Sequence, residues 1–199
     1  MLFRSGAEGS GKSTQARLLK EWFEKSGKKT VLTREPGGTN LGAVLRKILL
    51  DNATGAISPK AEALLYAADR AHHVYSVIRP ALNRGDVVIT DRYFDSSIAY
   101  QGAGRVLSST EVARISRWAT ESLYPTLTII LDQPAEIGLG RIKNADRLES
   151  ESISFHNRVR QEFLQLAALD PERYLVIDAQ KPIDEIHSEI TERVSTLIK

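Results

Sequence analysis

One short segment near the amino terminus constrains the fold more than any other part of the sequence. Residues Gly6–Ser13 read GAEGSGKS and match the pattern GxxxxGK(S/T). This pattern binds phosphate when a strand precedes it and a helix follows, because backbone amides then close around the phosphate oxygens at a positively polarised helix terminus. A short run at Leu2–Arg4 and a helical pattern that starts at Lys12 supply those neighbours. We therefore predict a phosphate-binding loop between a strand and a helix.

The residues of this loop have individual predicted roles. The Lys12 ammonium can reach the β- and γ-phosphates of ATP, and the Ser13 hydroxyl can bind Mg²⁺. The alternative is a glycine-rich turn that joins strand and helix without a ligand, but its setting favours the phosphate site. The remaining predicted ATP contacts of this segment come from Gly6, Ala7, Glu8, Gly9, Ser10, Gly11 and Thr14.

Apolar runs and helical patterns alternate along the rest of the chain. Pro80 should bend or end the third helix, because proline lacks an amide donor and clashes with the preceding turn. Since strands that alternate with helices build a parallel sheet covered on both faces, we predict an α/β fold with a doubly wound five-stranded parallel sheet flanked by helices, of the P-loop NTPase type. The predicted strands after the first are Thr30–Thr33, Val87–Thr90, Leu127–Leu131 and Tyr174–Ile177. The predicted helices are Lys12–Ser26, Leu41–Leu50, Lys60–Asn83, Ser109–Ser122, Ser150–Leu169 and Ile183–Ile198.

Composition limits the classes of partner. The 27 Lys and Arg nearly balance the 25 Asp and Glu, so a formal charge of +2 does not call for a nucleic acid. The absence of cysteine excludes disulfides and thiolate metal sites, and no apolar run approaches the roughly 20 residues of a membrane helix. With no signal peptide after Met1, we expect a cytoplasmic protein with no membrane partner. We expect a single domain over residues 1–199, with a mobile lid at about residues 138–150.

The phosphate loop alone leaves a kinase, a GTPase switch and a motor ATPase open. A guanine-specific switch carries an NKxD segment, whereas the similar residues Lys143–Asp146 read KNAD, in the wrong order. The run Val87–Asp91 ends in an acid, as expected for a strand whose Asp91 holds Mg²⁺ directly or through water, with Arg92 next to it able to bind phosphate. A simple ion pair at the strand end is the alternative. Together these residues favour phosphoryl transfer.

A second basic cluster lies between Gly140 and Glu149, where Arg141, Lys143 and Arg147 occur close together. A short basic loop that closes over ATP would neutralise charge on the transferred phosphoryl group and exclude water, which would otherwise hydrolyse ATP. A solvated helix face with intrahelical ion pairs is the alternative. We interpret the cluster as a candidate lid.

Five segments carry a wider pattern. They are GAEGSGKSTQ at Gly6–Gln15, REPGGT at Arg34–Thr39, LLYAADRAHH at Leu64–His73, DRYFDSSIAYQG at Asp91–Gly102 and DRLE at Asp146–Glu149. In this order they resemble the thymidylate kinase family of P-loop nucleoside monophosphate kinases. The resemblance runs from Gly6 to about Ile190, and REPGGT followed by DRY-x-x-SS-x-AYQ distinguishes it from adenylate, guanylate and cytidylate kinases.

The resemblance implies a pyrimidine-binding site on the third helix. Tyr66 would stack on thymine, and Arg70 would hydrogen-bond the edge of the base. Residues i and i+4 lie about 5–6 Å apart on one helix face, so the spacing allows both contacts. An ordinary core aromatic is the alternative for Tyr66. Ser97 and Gln101 would complete the pocket.

The same resemblance implies the other substrate contacts. Tyr100 would crowd the 2′ position of the sugar and so favour deoxyribose by steric exclusion. Glu8 would face the 3′-hydroxyl of the acceptor. Arg34 and Arg92 would hold the acceptor phosphate in line with the γ-phosphoryl group. Pro36 of REPGGT belongs to the same substrate site.

On the donor side, the resemblance implies that the lid stabilises the transition state. Family members with a small residue in the phosphate loop supply an arginine from the lid, and Ser10 makes this chain similar to them. The turn with Ala179 and Gln180 would support adenine. The implied catalytic residues are Lys12, Arg92, Arg141 and Arg147, with Lys143 assisting.

The implied reaction is transfer of the γ-phosphoryl group of ATP to dTMP, which gives ADP and dTDP for dTTP biosynthesis, with Mg²⁺ as cofactor. The implied assembly is a homodimer built from helices beside the sheet. Two alternatives remain open. One is another P-loop kinase that acts on dUMP or on a deoxynucleoside, and the other is a nucleotide-binding protein without catalytic activity.

Overall fold

The structure is a computed structural model that describes residues 2–6 and 9–198, and for residues 2–6 it describes the backbone. Ala7 and Glu8, both predicted to contact nucleotides, lie outside the described residues. The strands are β1 Leu2–Gly6, β2 Thr30–Arg34, β3 Val87–Asp91, β4 Leu127–Asp132 and β5 Tyr174–Asp178. The helices are α1 Lys12–Lys25, α2 Asn40–Leu50, α3 Pro59–His73, α4 Arg79–Asn83, α5 Phe94–Ser97, α6 Ser109–Ala119, α7 Ala135–Leu139, α8 Ile153–Leu169 and α9 Ile183–Leu197.

The strands pair in parallel, in the order β2-β3-β1-β4-β5. β1 lies at the centre, with β3 on one side and β4 on the other. The prediction of an α/β fold with parallel strands is confirmed. Because parallel strands share one carboxyl edge, the segments that follow β1, β2 and β3 begin next to one another. Among the described helices, none combines the length and the apolar character that crossing a lipid bilayer requires.

β4 shows how the alternation of side chains builds a core on each face of the sheet. Ile129 and Leu131 pack in one cluster with side chains of α1 and α9, including Leu19. Ile130 packs in a second cluster with Phe163 of α8. Helices therefore cover both faces, which explains why β4 reads as a continuous apolar run.

The helix predicted at Lys60–Asn83 continues past Pro80. It runs as α3, then as a π-helical turn at Val74–Ile78, and resumes as α4 with Pro80 in its first turn. Proline lacks an amide hydrogen and its ring crowds the carbonyl four residues earlier, and the wider π turn accommodates both effects.

No helix is predicted for residues 94–104, yet α5 and a second π-helical turn, Ile98–Gly104, fill this segment. Its residues are almost all buried. A helix that is buried all round has no polar face, so its sequence lacks the amphipathic period that would reveal it. The predicted helix Ser109–Ser122 ends early, at Ala119, and Glu121 beyond it has a positive φ of 50°.

The loop after β2 is held by a buried carboxylate. Asp69 of α3 is 1% exposed, and its Oδ1 accepts a hydrogen bond of 3.2 Å from the Gly37 amide. Asp69 Oδ2 is buried and has no hydrogen-bond partner among the described residues. Burial, followed by the charge of Glu35, raises the pKa of Asp69 to about 6. The fold therefore disfavours the ionised form of Asp69.

We expect the free energy of unfolding to depend on pH through Asp69. The pKa of Asp69 is higher in the folded protein than the ordinary value of 3.8. The protonated carboxyl therefore contributes its full stabilisation below pH 3.8, and this contribution is lost as the pH rises through about 6. Asp69→Asn keeps an acceptor for Gly37. This variant should match the wild type near pH 4 and exceed its stability by about 1–3 kcal/mol near pH 8. Urea denaturation at the two pH values measures the difference, and the same difference at both would contradict the assignment.

Candidate active site

A cavity of about 360 Å³ opens at the carboxyl edge of the sheet. Its wall brings together residues predicted from separate segments of the sequence. These are Gly9, Ser10, Gly11, Lys12, Ser13, Thr14, Arg34, Pro36, Tyr66, Asp91 and Arg92. Other wall residues are Glu35, Arg46, Leu50, Asp146, Leu148 and Glu149. Candidates for donor and acceptor binding thus surround one cavity.

The phosphate loop has a backbone shape that glycine permits. Gly9 and Gly11 have φ angles of 65° and 82°, in the left-handed region. A Cβ on Gly9 would also lie 2.5 Å from the carbonyl oxygen of Gly138, so no side chain fits there. Ser10 Oγ is buried without a hydrogen-bond partner among the described residues. A buried polar atom of this kind needs a partner, and a phosphate oxygen would supply one.

Ser13 and Asp91 line this cavity and are the candidate ligands of Mg²⁺. Asp91 Oδ1 is buried, and no described residue hydrogen-bonds to it, so this acceptor fits a cation or a cation-bound water. Within residues 9–198, no group of three or more His, Cys, Asp or Glu side chains could hold a metal ion alone. Mg²⁺ commonly takes one or two protein ligands together with phosphate oxygens and water. The two residues fit such an ion.

Two arginines stand at adjacent strand ends. Arg34 at the end of β2 pairs in register with Asp91, and Arg92 follows directly. Arg34 is exposed, whereas Arg92 Cζ lies 4.8 Å from the ring centroid of Tyr100. Arg92 has a φ of 67°, a conformation that costs a residue other than glycine about 1–2 kcal/mol. Such strain is typical of functional sites.

A narrower pocket, which we call the base pocket, adjoins the cavity and shares Glu35, Tyr66, Arg92 and Leu148 with it. Burial raises the pKa of Tyr66, so its phenol is neutral at physiological pH. The other predicted base-site residues all line this pocket. They are Arg70, Ser97, Tyr100 and Gln101.

Arg70 is held by three neighbours. Its side chain is 2% exposed, and Nε donates to Glu35 Oε2 at 2.8 Å. Nη2 donates to Ser97 Oγ at 3.0 Å and to the Tyr93 carbonyl at 3.3 Å. Nη1 is buried and has no hydrogen-bond partner among the described residues. Nη1 is therefore the donor that Arg70 has available for a ligand.

Glu35 lies inside REPGGT, yet sequence reasoning assigned it no role. It is 3% exposed. Besides holding Arg70, it lies 2.9 Å from His73 Nδ1, and His73 Nε2 lies 2.7 Å from Thr33 Oγ1. One sequence signal could have indicated this role. Glu35 is an acid between a strand and a proline, and α3 carries two basic residues, Arg70 and His73, that could pair with it.

The structure separates the basic residues of the lid. Arg141 Nη1 donates to the Gly9 carbonyl at 3.2 Å, beside the phosphate loop. Lys143 is exposed. Neither Arg141 nor Arg147 lines the cavity. Arg147 is directed elsewhere, since its Nη2 donates to Glu62 Oε2 at 2.5 Å and its Nε donates to a carbonyl at the end of α2. The structure thus brings Arg141, but not Arg147, to the phosphate loop.

The predicted adenine-binding residues follow β5. Ala179 is buried and its amide donates to the Asp132 carbonyl at 2.8 Å, whereas Gln180 is exposed. Neither lines the cavity. Gln15 of α1 donates from Nε2 to the carbonyl of Ile183, the first residue of α9, at 2.8 Å, which ties the end of this turn to the helix of the phosphate loop.

Comparison with known proteins agrees with this geometry. Residues 5–190 match the model of the family described as thymidylate kinase. The chain is 54% identical over 197 residues to thymidylate kinase of Clavibacter michiganensis subsp. michiganensis (strain NCPPB 382). This alignment covers 97% of this chain and 93% of that protein. It is 57% identical over 189 residues to thymidylate kinase of Leifsonia xyli subsp. xyli (strain CTCB07), with 93% and 89% covered. The crystal structure of thymidylate kinase from Ehrlichia chaffeensis matches with a TM-score of 0.81 and 30% identity, over 98% of this chain and 97% of that chain. The chain therefore belongs to the thymidylate kinase family.

Proposed function

We propose that the protein transfers the γ-phosphoryl group of ATP to dTMP, which yields ADP and dTDP. The observation that carries this proposal is the junction of two sites, because the cavity at the phosphate loop and the base pocket share Tyr66 and Arg92. A triphosphate held in the first and a pyrimidine nucleotide held in the second would meet at this junction. Relatives named thymidylate kinase match almost the whole chain, which supports dTMP as the acceptor.

On the donor side, backbone amides of the phosphate loop and the Lys12 ammonium would hold the β- and γ-phosphates. Bound Mg²⁺ would neutralise charge on these oxygens, and Ser13 and Asp91 are the residues that would hold it. The turn with Ala179 and Gln180 would support adenine. These contacts fix the transferred group in position and prepare it for attack.

On the acceptor side, Arg34 and Arg92 would bind the phosphate of dTMP, beside the wall that Pro36 forms. That phosphate is already ionised at neutral pH, so the attack needs no general base. Tyr66 would cover the base, and Arg70 Nη1 would bind its edge. Tyr100 would exclude a 2′-hydroxyl. Catalysis then consists mainly of alignment and charge neutralisation.

A mobile lid at residues 138–150 within a single kinase domain completes the proposal. Arg141 is the candidate for transition-state stabilisation, because its guanidinium already contacts the Gly9 carbonyl. Arg147 would have to leave Glu62 before it could reach a phosphate. Closure of the lid would exclude water from the transferred group.

The substrate proposal is tested by measuring ADP production with MgATP and each of dTMP, dUMP, dCMP, AMP, GMP and thymidine. We expect dTMP to give the highest kcat/KM. Faster turnover with dUMP or thymidine would favour another acceptor, and ATP binding without any turnover would favour a nucleotide-binding protein.

Lys12→Ala should reduce kcat by several orders of magnitude while the circular dichroism spectrum is retained; full activity in that variant would refute the phosphate-loop assignment.

The lid proposal makes a separate prediction. Arg141→Ala should lower kcat about 10²–10³-fold with little change in the KM for dTMP, because the side chain neutralises charge that develops during transfer. Lys143→Ala is the matched control, since it removes a nearby exposed cation and should cost much less. Equal losses in the two variants, measured by steady-state kinetics, would count against Arg141 as the catalytic arginine.

A homodimer is the proposed assembly, and an exposed apolar surface supports it. On α2, Leu41, Val44 and Ile48 recur on one helix face and are 47%, 59% and 38% exposed. α2 packs on α3 and α3 packs on α6, where Leu64 and Trp118 are also exposed. Exposed apolar side chains on neighbouring helices are typical of an interaction site.

We expect Val44→Glu to convert the dimer to a monomer, because a charge at the centre of an apolar interface is left without a partner. Light scattering coupled to gel filtration reports the mass. Leu169→Glu, at the end of α8 and 82% exposed, is the control that should keep the wild-type mass. A wild-type protein that elutes as a monomer would rule out the dimer.

A further inference from the structure

Glu62 is a buried carboxylate that the proposed mechanism does not use. It lies in the first turn of α3 and is 0% exposed. Gln101 Nε2 donates to its Oε1 at 2.9 Å. Arg105 donates to both carboxylate oxygens, at 3.1 Å from Nε and 3.0 Å from Nη2, and Arg147 Nη2 donates at 2.5 Å. Donors therefore surround this side chain.

These donors determine the charge of Glu62. Burial raises its pKa, but the hydrogen bonds from Arg105, Gln101 and Arg147 outweigh burial, so the pKa lies below its ordinary value. An ionised carboxylate only accepts hydrogen bonds. Gln101 must therefore turn its NH₂ group toward Glu62, because its carbonyl oxygen would be repelled there.

The orientation of the Gln101 NH₂ group also determines the direction of its carbonyl oxygen, Oε1. A side-chain amide carries its donor and its acceptor on opposite sides, so Oε1 of Gln101 faces away from Glu62. Gln101 is 1% exposed and lines the base pocket with Arg70. Arg70 lines the same pocket, and its Nη1 has no hydrogen-bond partner among the described residues. The two residues that line the pocket therefore leave one donor, Arg70 Nη1, and one acceptor, Gln101 Oε1, available for a ligand.

We infer that Glu62 is a positioning residue for base specificity. It accepts a hydrogen bond from the Gln101 amide group and so directs Gln101 Oε1 toward the N3–H group of thymine. The inference rests on the proposed function. Thymine offers an acceptor at O4 and a donor at N3, which complement Arg70 Nη1 and Gln101 Oε1. Cytosine reverses both groups, with an amino donor at C4 and an acceptor at N3. Two unpaired polar contacts in a buried pocket would exclude dCMP.

Glu62→Gln tests this inference in the full-length enzyme with MgATP and either dTMP or dCMP. The neutral side chain accepts either orientation of the Gln101 amide. We expect the ratio of kcat/KM for dTMP to that for dCMP to fall at least about tenfold, chiefly through a higher KM for dTMP, with kcat changed less than about threefold. A folded variant with an unchanged ratio overturns the inference.

Arg105→Gln is the matched control. It removes two hydrogen bonds from Glu62 and weakens the same buried network, but leaves the carboxylate facing Gln101. Its stability should fall while the dTMP to dCMP ratio stays at the wild-type value. A similar fall in the ratio would mean that general loosening suffices, and would overturn the positioning role.

If Glu62→Gln does not fold, Gln101→Met tests the acceptor on which the inference depends, because it keeps the side-chain size and removes the carbonyl oxygen. The ratio should fall in this variant, and an unchanged ratio overturns the inference. Wild-type turnover is measured first. No turnover of dTMP by the wild type counts against the proposed function, whereas normal wild-type turnover with unaltered selectivity in Glu62→Gln counts against the positioning role of Glu62 alone.

Discussion

The hydrogen-bond register of the parallel sheet determines where the functional residues lie. β1 pairs with β3 and β4, and β2 pairs with β3 so that Arg34 stands beside Asp91. Because the strands run in one direction, the segments that follow them begin at one edge. The phosphate loop, the loop after β2 and Arg92 therefore border a single cavity. Phosphoryl transfer depends on alignment, and backbone pairing supplies the coarse part of that alignment.

Two buried carboxylates, each paired with arginine, supply the finer part of this alignment. Glu35 holds Arg70, and Glu62 holds Gln101 together with Arg147. Taking charges out of water costs several kcal/mol per ion, and apolar replacements of buried pairs are often as stable. Fold stability is therefore a poor explanation for these pairs. Each pair limits a flexible side chain to one orientation, which is what a pocket that discriminates donors from acceptors requires.

Local signals explain how much of the fold could be predicted. β3 and β4 are apolar runs ended by an acid, and the predicted bounds differ from the structure by one residue. Residues 94–104 lacked such a signal because burial on every side removes periodicity. In the site, the positions of the motifs at strand ends predicted that Lys12 and Asp91 lie at one edge of the sheet. Both residues line the cavity. The hydrogen-bond partners of long side chains could not be predicted from the sequence. Arg141 and Arg147 look equivalent in sequence, but the path of the loop between them sends one to Gly9 and the other to Glu62.

Two contacts attach the candidate lid to the rest of the fold. At its start, Gly138 abuts the tip of the phosphate loop so closely that even a methyl group on Gly9 would collide with it. At its end, the Arg147 amide donates to the Leu50 carbonyl at 3.0 Å, on the last residue of α2. The segment between these contacts is therefore tethered at both ends, so a closing movement would have to bend residues 139–146 and could not swing them as a free arm.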